Sequence, residues 1–160
     1  MKRNIDTTLL IVIKNNKILL AKKKRGFGAG LFNGVGGKKQ EGETIYEAMI
    51  RETQEEINIV PLNTTLVGIM DFDLYLKGEN VTEKMYTYIA TDYEGEPTES
   101  DEMKPEWFDL DNIPYDNMFQ DDIIWLPEVL KGNKIRASFS FDKEMNLISQ
   151  VCHTVETIEQ

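Results

Sequence analysis

The stretch GGKKQEGETIYEAMIRETQEEINI, residues 36–59, joins a glycine-rich turn to the start, body and end of one helix. Thr44, followed three residues later by Glu47, forms a capping-box pattern in which each side chain accepts a hydrogen bond from the other residue's backbone N–H. Asn58 is suited to close the helix in a left-handed conformation. The pattern therefore predicts a helix over residues 44–57.

Carboxylates and apolar side chains occupy neighbouring arcs of this helix. At 100° per residue the predicted buried face holds six side chains, Ile45, Tyr46, Met49, Ile50, Thr53 and Ile57. Glu52, Glu55 and Glu56 share one arc, where each like-charge pair costs about 0.2–0.5 kcal/mol. A divalent cation such as Mg²⁺ converts that repulsion into coordination. The alternative is a solvated acidic face in which Arg51 pairs with Glu47 or Glu55, and this is the commoner outcome for an isolated Glu-x-x-Glu-Glu.

Two predicted helices and several predicted strands surround this segment without a regular strand–helix–strand alternation. The pair Asn15-Asn16 tolerates the positive φ of a tight hairpin turn. Pro61 disfavours continuation of the first helix. The predicted strands are 7–14, 17–22, 65–76, 81–92 and 107–110, the second helix is 121–131, and a last hairpin is 134–141 with 147–155. This order predicts an α/β (α+β) fold, an α/β/α sandwich with a mixed sheet, and one domain over residues 1–160.

Composition excludes several classes of protein. The 160 residues carry 18 basic and 28 acidic side chains, a net charge of −10, which disfavours binding to a nucleic-acid polymer. The apolar and charged fractions, 41% and 29%, are those of folded globular domains. The longest apolar run, residues 9–13, is too short to cross a membrane. Cys152 is the one cysteine, so we expect a reducing, cytoplasmic setting.

The pattern G-x5-E-x7-R-E-T-x-E-E-x-N-I at residues 37–59 resembles the signature of the Nudix hydrolase family. Thr53 stands where a larger aliphatic residue is usual, and Asn58 stands where glycine is usual. Further stretches resemble the MutT-type branch, whose members hydrolyse oxidised purine nucleoside triphosphates. These stretches are residues 23–30, 36–38, 40–45, 99–103 and 107–114, and the similarity extends over residues 7–141.

The resemblance implies a Mg²⁺ site, in which Mn²⁺ is a possible substitute. Its implied ligands are the carboxylates of four glutamates and one backbone carbonyl, from Glu52, Glu55, Glu56, Glu102 and Gly36. The implied general base is Glu56 first and Glu102 second. Arg51 would orient the glutamates through charge-assisted hydrogen bonds, and Glu43 would hold the turn before the helix.

The resemblance also implies a substrate pocket. Lys23 would lie near the triphosphate, and the base would be bound by polar residues between apolar walls. The implied polar residues are Thr8, Asn33, Asp121 and Asp122, and the implied walls are Phe27 and Phe72. Phe119 replaces a tryptophan that stacks on the base, so stacking is expected with less contact area. Glu83 stands where the similar proteins have an apolar pocket residue.

Adjacent carboxyls buried in one pocket resist double ionisation. We therefore expect one of Asp121 and Asp122 to keep a proton and donate while the other accepts, which would allow more than one oxidised purine to bind. The alternative role for this pair is capping of the second helix, and the two roles are compatible.

The implied activity is Mg²⁺-dependent pyrophosphohydrolysis of oxidised purine nucleotides such as 8-oxo-dGTP or 2-oxo-dATP, a route to DNA damage avoidance. Two alternatives remain open. One is hydrolysis of another nucleoside diphosphate derivative or an unmodified nucleoside triphosphate, and the other is a non-catalytic nucleotide-sensing module. The expected partner is a small nucleotide, bound by a monomer that contacts neither nucleic-acid polymers nor membranes.

Overall fold

The computed structural model describes residues 3–159, and this part of the chain forms eight strands, two α-helices and one short 3-10 helix. The strands are β1 (Arg3–Lys14), β2 (Lys17–Lys23), β3 (Phe32–Asn33), β4 (Ile59–Leu76), β5 (Glu79–Gly95), β6 (Met103–Asp109), β7 (Lys134–Phe141) and β8 (Leu147–Val155). The helices are α1 (Ile45–Ile57) and α2 (Asp122–Leu130), and the 3-10 helix is Tyr115–Asn117.

All eight strands belong to one mixed sheet. Its order is β3-β2-β1-β5-β4-β7-β8, with β6 also paired to β2. Strand β1 runs parallel to β5 and β4 runs parallel to β7, whereas the remaining pairs are antiparallel. The predicted mixed sheet is confirmed.

The two helices cover opposite faces of this sheet. Successive side chains of a strand point to opposite faces, and in β1 they enter two different buried clusters. Leu9 and Ile11 pack in one cluster with Trp125 of α2. Leu10 packs in the other with Met49 of α1. This arrangement confirms the predicted α/β/α layering.

Helix α1 begins and ends as its sequence predicts. The Thr44 hydroxyl accepts a hydrogen bond from the Glu47 N–H (3.1 Å), and the Glu47 carboxylate accepts one from the Thr44 N–H (2.8 Å). Asn58 ends the helix at φ 63°, so asparagine takes the left-handed conformation that glycine usually supplies. The predicted buried face is wrong at Tyr46, which is 45% exposed, whereas Ala48 is fully buried.

Strand β4 starts earlier than predicted. It begins at Ile59 and includes Pro61, which pairs with Tyr93 of β5. This stretch of β4 pairs with β5 alone, because β7 contacts β4 only from Gly68 to Asp73. A strand paired on one side tolerates the missing proline N–H.

Tight turns join the hairpins. Asn15 and Asn16 have φ of 54° and 62°, which confirms the predicted opening hairpin. The last hairpin, β7 and β8, has the predicted bounds. Within residues 3–159, neither helix has the length and apolar character needed to cross a lipid bilayer.

Candidate active site

Arg51 links the carboxylates of α1 to the loop before it. Its Nη2 and Nε donate to the two carboxylate oxygens of Glu43 at 2.7 and 3.0 Å. Its Nη1 donates to Glu52 (2.7 Å) and to Glu55 (3.2 Å), and Nη2 also reaches the Lys38 carbonyl (3.1 Å). This bidentate contact lowers the pKa of Glu43 to about 2, with further help from the Gln40 N–H. Arg51 thus holds three carboxylates in place.

Glu56 is the most perturbed carboxyl of this helix. Burial, followed by the charge of Glu52 and a hydrogen bond shared with it, raises the pKa of Glu56 to about 8, and the charge of Glu102 adds to the effect. Its Oε2 is buried without a hydrogen-bond partner in the described part of the chain. A buried carboxylate oxygen that lacks a donor among carboxylate neighbours suits a cation.

Two glycines allow the loop to approach these groups. A Cβ placed on Gly37 would lie 2.5 Å from Oε2 of Glu52, and a Cβ on Gly36 would collide with the Thr8 carbonyl oxygen. The loop is anchored because the Thr8 N–H donates to the Gly37 carbonyl (3.0 Å). A side chain at Gly36 would therefore collide with the backbone of β1, and one at Gly37 would displace the Glu52 carboxylate.

Glu102 lies on the loop before β6 and approaches the carboxylate cluster, which is formed by Glu52, Glu55 and Glu56 of α1. Its backbone carbonyl accepts a hydrogen bond from the Lys24 N–H (2.8 Å), and its carboxylate pairs with Arg25 (3.1 Å). Within residues 3–159, no three acidic, histidine or cysteine side chains already surround one point that could hold a metal ion. Arg25 pairs with Glu102, and Arg51 pairs with Glu55. The oxygen donors nevertheless fit a hard divalent cation, which prefers carboxylate oxygens and keeps several waters.

A cavity of about 210 Å³ opens beside the carboxylate cluster. All eight residues that the sequence assigned to substrate binding line it, namely Thr8, Lys23, Phe27, Asn33, Phe72, Phe119, Asp121 and Asp122. Gly36 and Gly37 line it as well, so this loop separates the cavity from Glu52. The charge of Lys23 lowers the pKa of Glu56, which places its ammonium group near both regions.

Unsatisfied polar atoms face this cavity. Thr8 Oγ1 and Asp122 Oδ2 are buried and have no hydrogen-bond partner among the described residues. The Asn33 side-chain carbonyl accepts from the Gly34 N–H (2.8 Å), so its NH₂ group is the donor left for a ligand. A small polar ligand would supply the missing partners.

The adjacent acids Asp121 and Asp122 are both buried, at 3% and 2% exposure. Burial raises the pKa of Asp121 to about 6, and burial together with the charge of Asp121 raises the pKa of Asp122. Asp121 accepts from the Trp125 indole N–H (2.9 Å) but makes no side-chain cap on α2, although it stands at the N-cap position. Direct capping by Asp121 is therefore absent.

Aromatic rings form one wall of the cavity. Phe27 and Phe119 stack with centroids 5.5 Å apart and planes inclined by 23°. A Cβ on Gly28 would lie 2.5 Å from the Phe119 ring, so a side chain there would displace the stack. Phe72 closes the floor against Phe139.

Sequence reasoning did not predict four wall residues of the cavity, Leu74, Met85, Met103 and Phe141. They come from four different strands, β4, β5, β6 and β7. Each looks like an ordinary core residue of its strand, so no local signal distinguishes it. The sheet order alone brings these residues together.

Comparison with known proteins gives the family. The NUDIX domain matches residues 4–129 of the chain. A zebrafish (Danio rerio) protein named oxidized purine nucleoside triphosphate hydrolase is 40% identical over 151 residues, covering 94% of this chain and 96% of the relative. A mouse (Mus musculus) protein of the same name is 38% identical over 150 residues, covering 94% and 95%.

A solved structure agrees with these relatives. The MutT protein of Bacillus halodurans superimposes with a TM-score of 0.82 at 30% identity, over 92% of this chain and 97% of that one. Both the domain match and the two vertebrate relatives span the carboxylate helix and the loop before it. The chain belongs to the Nudix family.

Proposed function

We propose that this chain is a Mg²⁺-dependent nucleoside triphosphate pyrophosphohydrolase that acts on oxidised purine nucleotides such as 8-oxo-dGTP or 2-oxo-dATP. The products are the nucleoside monophosphate and pyrophosphate. The zebrafish and mouse relatives, named as oxidized purine nucleoside triphosphate hydrolases, support this substrate class. The protein would act as a monomeric single domain in the cytoplasm and remove damaged nucleotides from the precursor pool.

One observation carries the proposal, namely that one cavity is lined both by the paired acids of the base pocket and by the Gly36–Gly37 loop, whose other side contacts Glu52 of the carboxylate cluster. Asp121 and Asp122 face one part of this cavity, and Gly36 and Gly37 face the other, next to Glu52. A nucleotide bound with its base at the paired acids would extend its phosphates past Lys23 toward the cluster. This arrangement supports hydrolysis at phosphorus.

The proposed roles of the site residues are metal binding, proton transfer and positioning. Glu52, Glu55, Glu56, Glu102 and the Gly36 carbonyl would hold the metal, with Mn²⁺ as a substitute for Mg²⁺. A bound divalent cation neutralises phosphate charge and polarises an attacking water. Glu56 is our first candidate to take the water's proton, and Glu102 is the second. Arg51 is a positioning residue that acts through the glutamates.

The base pocket would read hydrogen-bonding patterns. Asn33 would donate its NH₂ group, and the pair Asp121 and Asp122 would present one proton and one acceptor. Exchange of that proton between the two carboxyls would accommodate the different edges of 8-oxo-guanine and 2-oxo-adenine. The base would lie between the stacked rings of Phe27 and Phe119 on one side and the floor of the cavity on the other.

The decisive experiment is a pyrophosphate-release screen with Mg²⁺ over oxidised and unmodified deoxynucleoside triphosphates and ADP-ribose. We expect kcat/KM to be at least tenfold higher for an oxidised purine than for its unmodified parent. Glu56→Gln keeps the shape of the side chain and should lower kcat by at least 100-fold, and EDTA should abolish turnover. The exposed Glu106→Gln serves as the matched control and should behave as wild type.

Other outcomes would contradict the proposal in distinct ways. Preferred cleavage of ADP-ribose or an unmodified triphosphate would contradict the proposed substrate class but agree with the proposed hydrolytic reaction. Nucleotide binding without pyrophosphate release from any substrate would indicate a sensing module. Unchanged kcat in Glu56→Gln would remove Glu56 from the reaction.

A further inference from the structure

The cavity contains a third carboxyl in addition to the paired acids of α2. Glu83 of β5 lines the cavity, and its Oε2 accepts a hydrogen bond from the Thr7 hydroxyl of β1 at 2.7 Å. The charge of Glu83 is felt by Asp121, whose pKa it helps to raise. Three acids from two elements thus face one small space.

Glu83 breaks the pattern of its own strand. Residues two apart on a strand point to the same face, and the neighbours of Glu83 on that face are Val81, fully buried, and Met85, a cavity wall. The residue that pairs with Glu83 on the neighbouring strand β4 is Phe72, another residue of the cavity wall. An apolar side chain would satisfy packing here, and a carboxylate in such surroundings costs free energy unless something compensates for it.

The pKa of Glu83 is raised overall, because burial outweighs the polar and charged groups that oppose it. Burial raises the pKa of Glu83, whereas the Thr7 hydrogen bond and the charges of Lys23 and Lys38 lower it. Of these two lysines, Lys23 itself lines the cavity. Glu83 and Lys23 therefore face the same cavity.

A second observation shows that the cavity needs donors from its ligand. Asp122 is 2% exposed, lines the cavity, and its Oδ2 has no hydrogen-bond partner in the described chain. The donors that line the cavity are the Lys23 ammonium, the Thr8 hydroxyl and the Asn33 amide, and they face the three carboxyls of Glu83, Asp121 and Asp122. With one proton shared by the paired acids, two carboxylates face one ammonium group, so a base that carries positive charge fits better than a neutral one.

Resting on the proposed function, which makes this cavity the base pocket, we propose that Glu83 is a specificity-determining residue that directs the pocket toward positively charged, N-alkylated purine nucleotides. A base alkylated at N7 carries a delocalised positive charge, so its attraction to Glu83 does not depend on one particular hydrogen bond. Opposite charges a few ångströms apart inside a protein interact far more strongly than in bulk water. The pocket thereby accepts alkylated purines as well as oxidised ones.

Equilibrium binding of monophosphates tests this without any turnover. Calorimetry in EDTA with the full chain would compare 7-methyl-GMP with GMP. We expect wild type to bind 7-methyl-GMP at least tenfold more tightly, and Glu83→Gln, which keeps size and can still accept from Thr7, to lose most of that ratio. Glu83→Asp keeps the charge and should retain part of it. The matched control Glu94→Gln lies on the same strand, is exposed, and should keep the full ratio.

Each contrary result bears on one claim. A preserved ratio in Glu83→Gln with an unchanged melting temperature, or no preference in wild type, would overturn the role of Glu83. If Glu83→Gln does not fold, Glu83→Asp decides instead: a partly retained ratio supports the role of the Glu83 charge, and loss of the ratio in folded Glu83→Asp overturns it. Pyrophosphate release from 8-oxo-dGTP, measured in parallel, tests the proposed function separately. Release can occur without any preference for 7-methyl-GMP, and the preference can occur without release.

Discussion

At the scale of single residues, Arg51 organises the carboxylate cluster. Its planar guanidinium binds Glu43 with two donors and still reaches Glu52 and Glu55 with a third. Lysine has one nitrogen and cannot make this forked contact. The alternative considered from the sequence, pairing with Glu55 on a solvated face, is present but is the longest of the carboxylate contacts. The role of Arg51 is therefore geometric, acting through the glutamates.

Arg51→Lys should separate geometry from charge. We expect kcat to fall by about tenfold or more and the Mg²⁺ concentration for half-maximal activity to rise by about tenfold, because misplaced ligands bind metal less well. KM for the nucleotide should change little. The measurement is a Mg²⁺ titration of steady-state rates, with direct Mn²⁺ binding by electron paramagnetic resonance.

The exposed Arg136→Lys provides the control for this substitution. If Arg51→Lys lowered the melting temperature yet left the Mg²⁺ requirement unchanged, Arg51 would be a fold-stabilising residue only. A rise in nucleotide KM alone would place Arg51 on the substrate instead of on the glutamates.

At the scale of elements, α1 depends on its N-terminal cap. The reciprocal hydrogen bonds between Thr44 and Glu47 satisfy two backbone N–H groups at the start of the helix that carries the cluster. Thr44→Ala should lower the free energy of unfolding by about 1 kcal/mol. For a chain of this size that corresponds to about 2–4 °C in melting temperature.

Thr44→Ser is the matched control, because serine keeps the capping hydroxyl and should retain most of the stability. Calorimetric melting of both variants beside wild type measures the difference. Equal melting temperatures for Thr44→Ala and wild type would mean that tertiary packing alone fixes the start of α1.

Local signals in the sequence predicted these elements well. Capping by Thr44, left-handed closure at Asn58 and the Asn15-Asn16 turn each depend on one or two residues and their immediate neighbours, and all three are confirmed. The error at Tyr46 has a different origin. A helical wheel gives the apolar arc but not how much of each side chain the sheet covers, and Tyr46 meets the buried Tyr88 edge to face while it stays 45% exposed.

The candidate site was predictable only where the residues fall in one segment or in a recognisable motif. The hydrogen bond between Thr7 and Glu83 joins residues 76 positions apart, and it exists because β1 lies parallel to β5. Strand order of this kind has no local signature. The same holds for Phe141, which reaches the cavity from the final hairpin.

At the scale of the whole molecule, the net charge of −10 is unevenly distributed. Part of it lies in the carboxylate cluster around Glu52 and Glu56, and part lies with the acids that line the cavity around Asp121, beyond the Gly36–Gly37 loop. A long nucleic acid would experience the overall repulsion. A nucleotide that arrives with a divalent cation would instead neutralise the cluster locally, as the proposed function requires.

The buried acids also make the stability of the molecule depend on pH. The pKa of Asp121 is raised from an ordinary 3.8 to about 6, so below pH 4 the carboxyl is neutral in both folded and unfolded chains. As pH rises from about 4 to about 6, the unfolded chain loses this proton first, and the folded state becomes relatively less stable. Glu43 acts in the opposite sense at lower pH, because its lowered pKa contributes stability that is lost as pH falls from about 4.5 toward 2.

Asp121→Asn should remove the cost of charging Asp121. The variant keeps an oxygen that can accept from the Trp125 indole N–H, so at pH 4 its free energy of unfolding should be close to that of wild type. Above pH 6 the variant should be more stable by about 3 kcal/mol, since the pKa is raised from 3.8 to about 6 and one pKa unit corresponds to about 1.4 kcal/mol. Urea unfolding at several pH values in EDTA measures this gap, and the exposed Asp116→Asn, with the same change in net charge, should show a gap that does not widen with pH. If the difference in free energy of unfolding between Asp121→Asn and wild type stays constant or shrinks as pH rises, ionisation of Asp121 does not destabilise the folded protein. Its neighbours would then compensate for its burial.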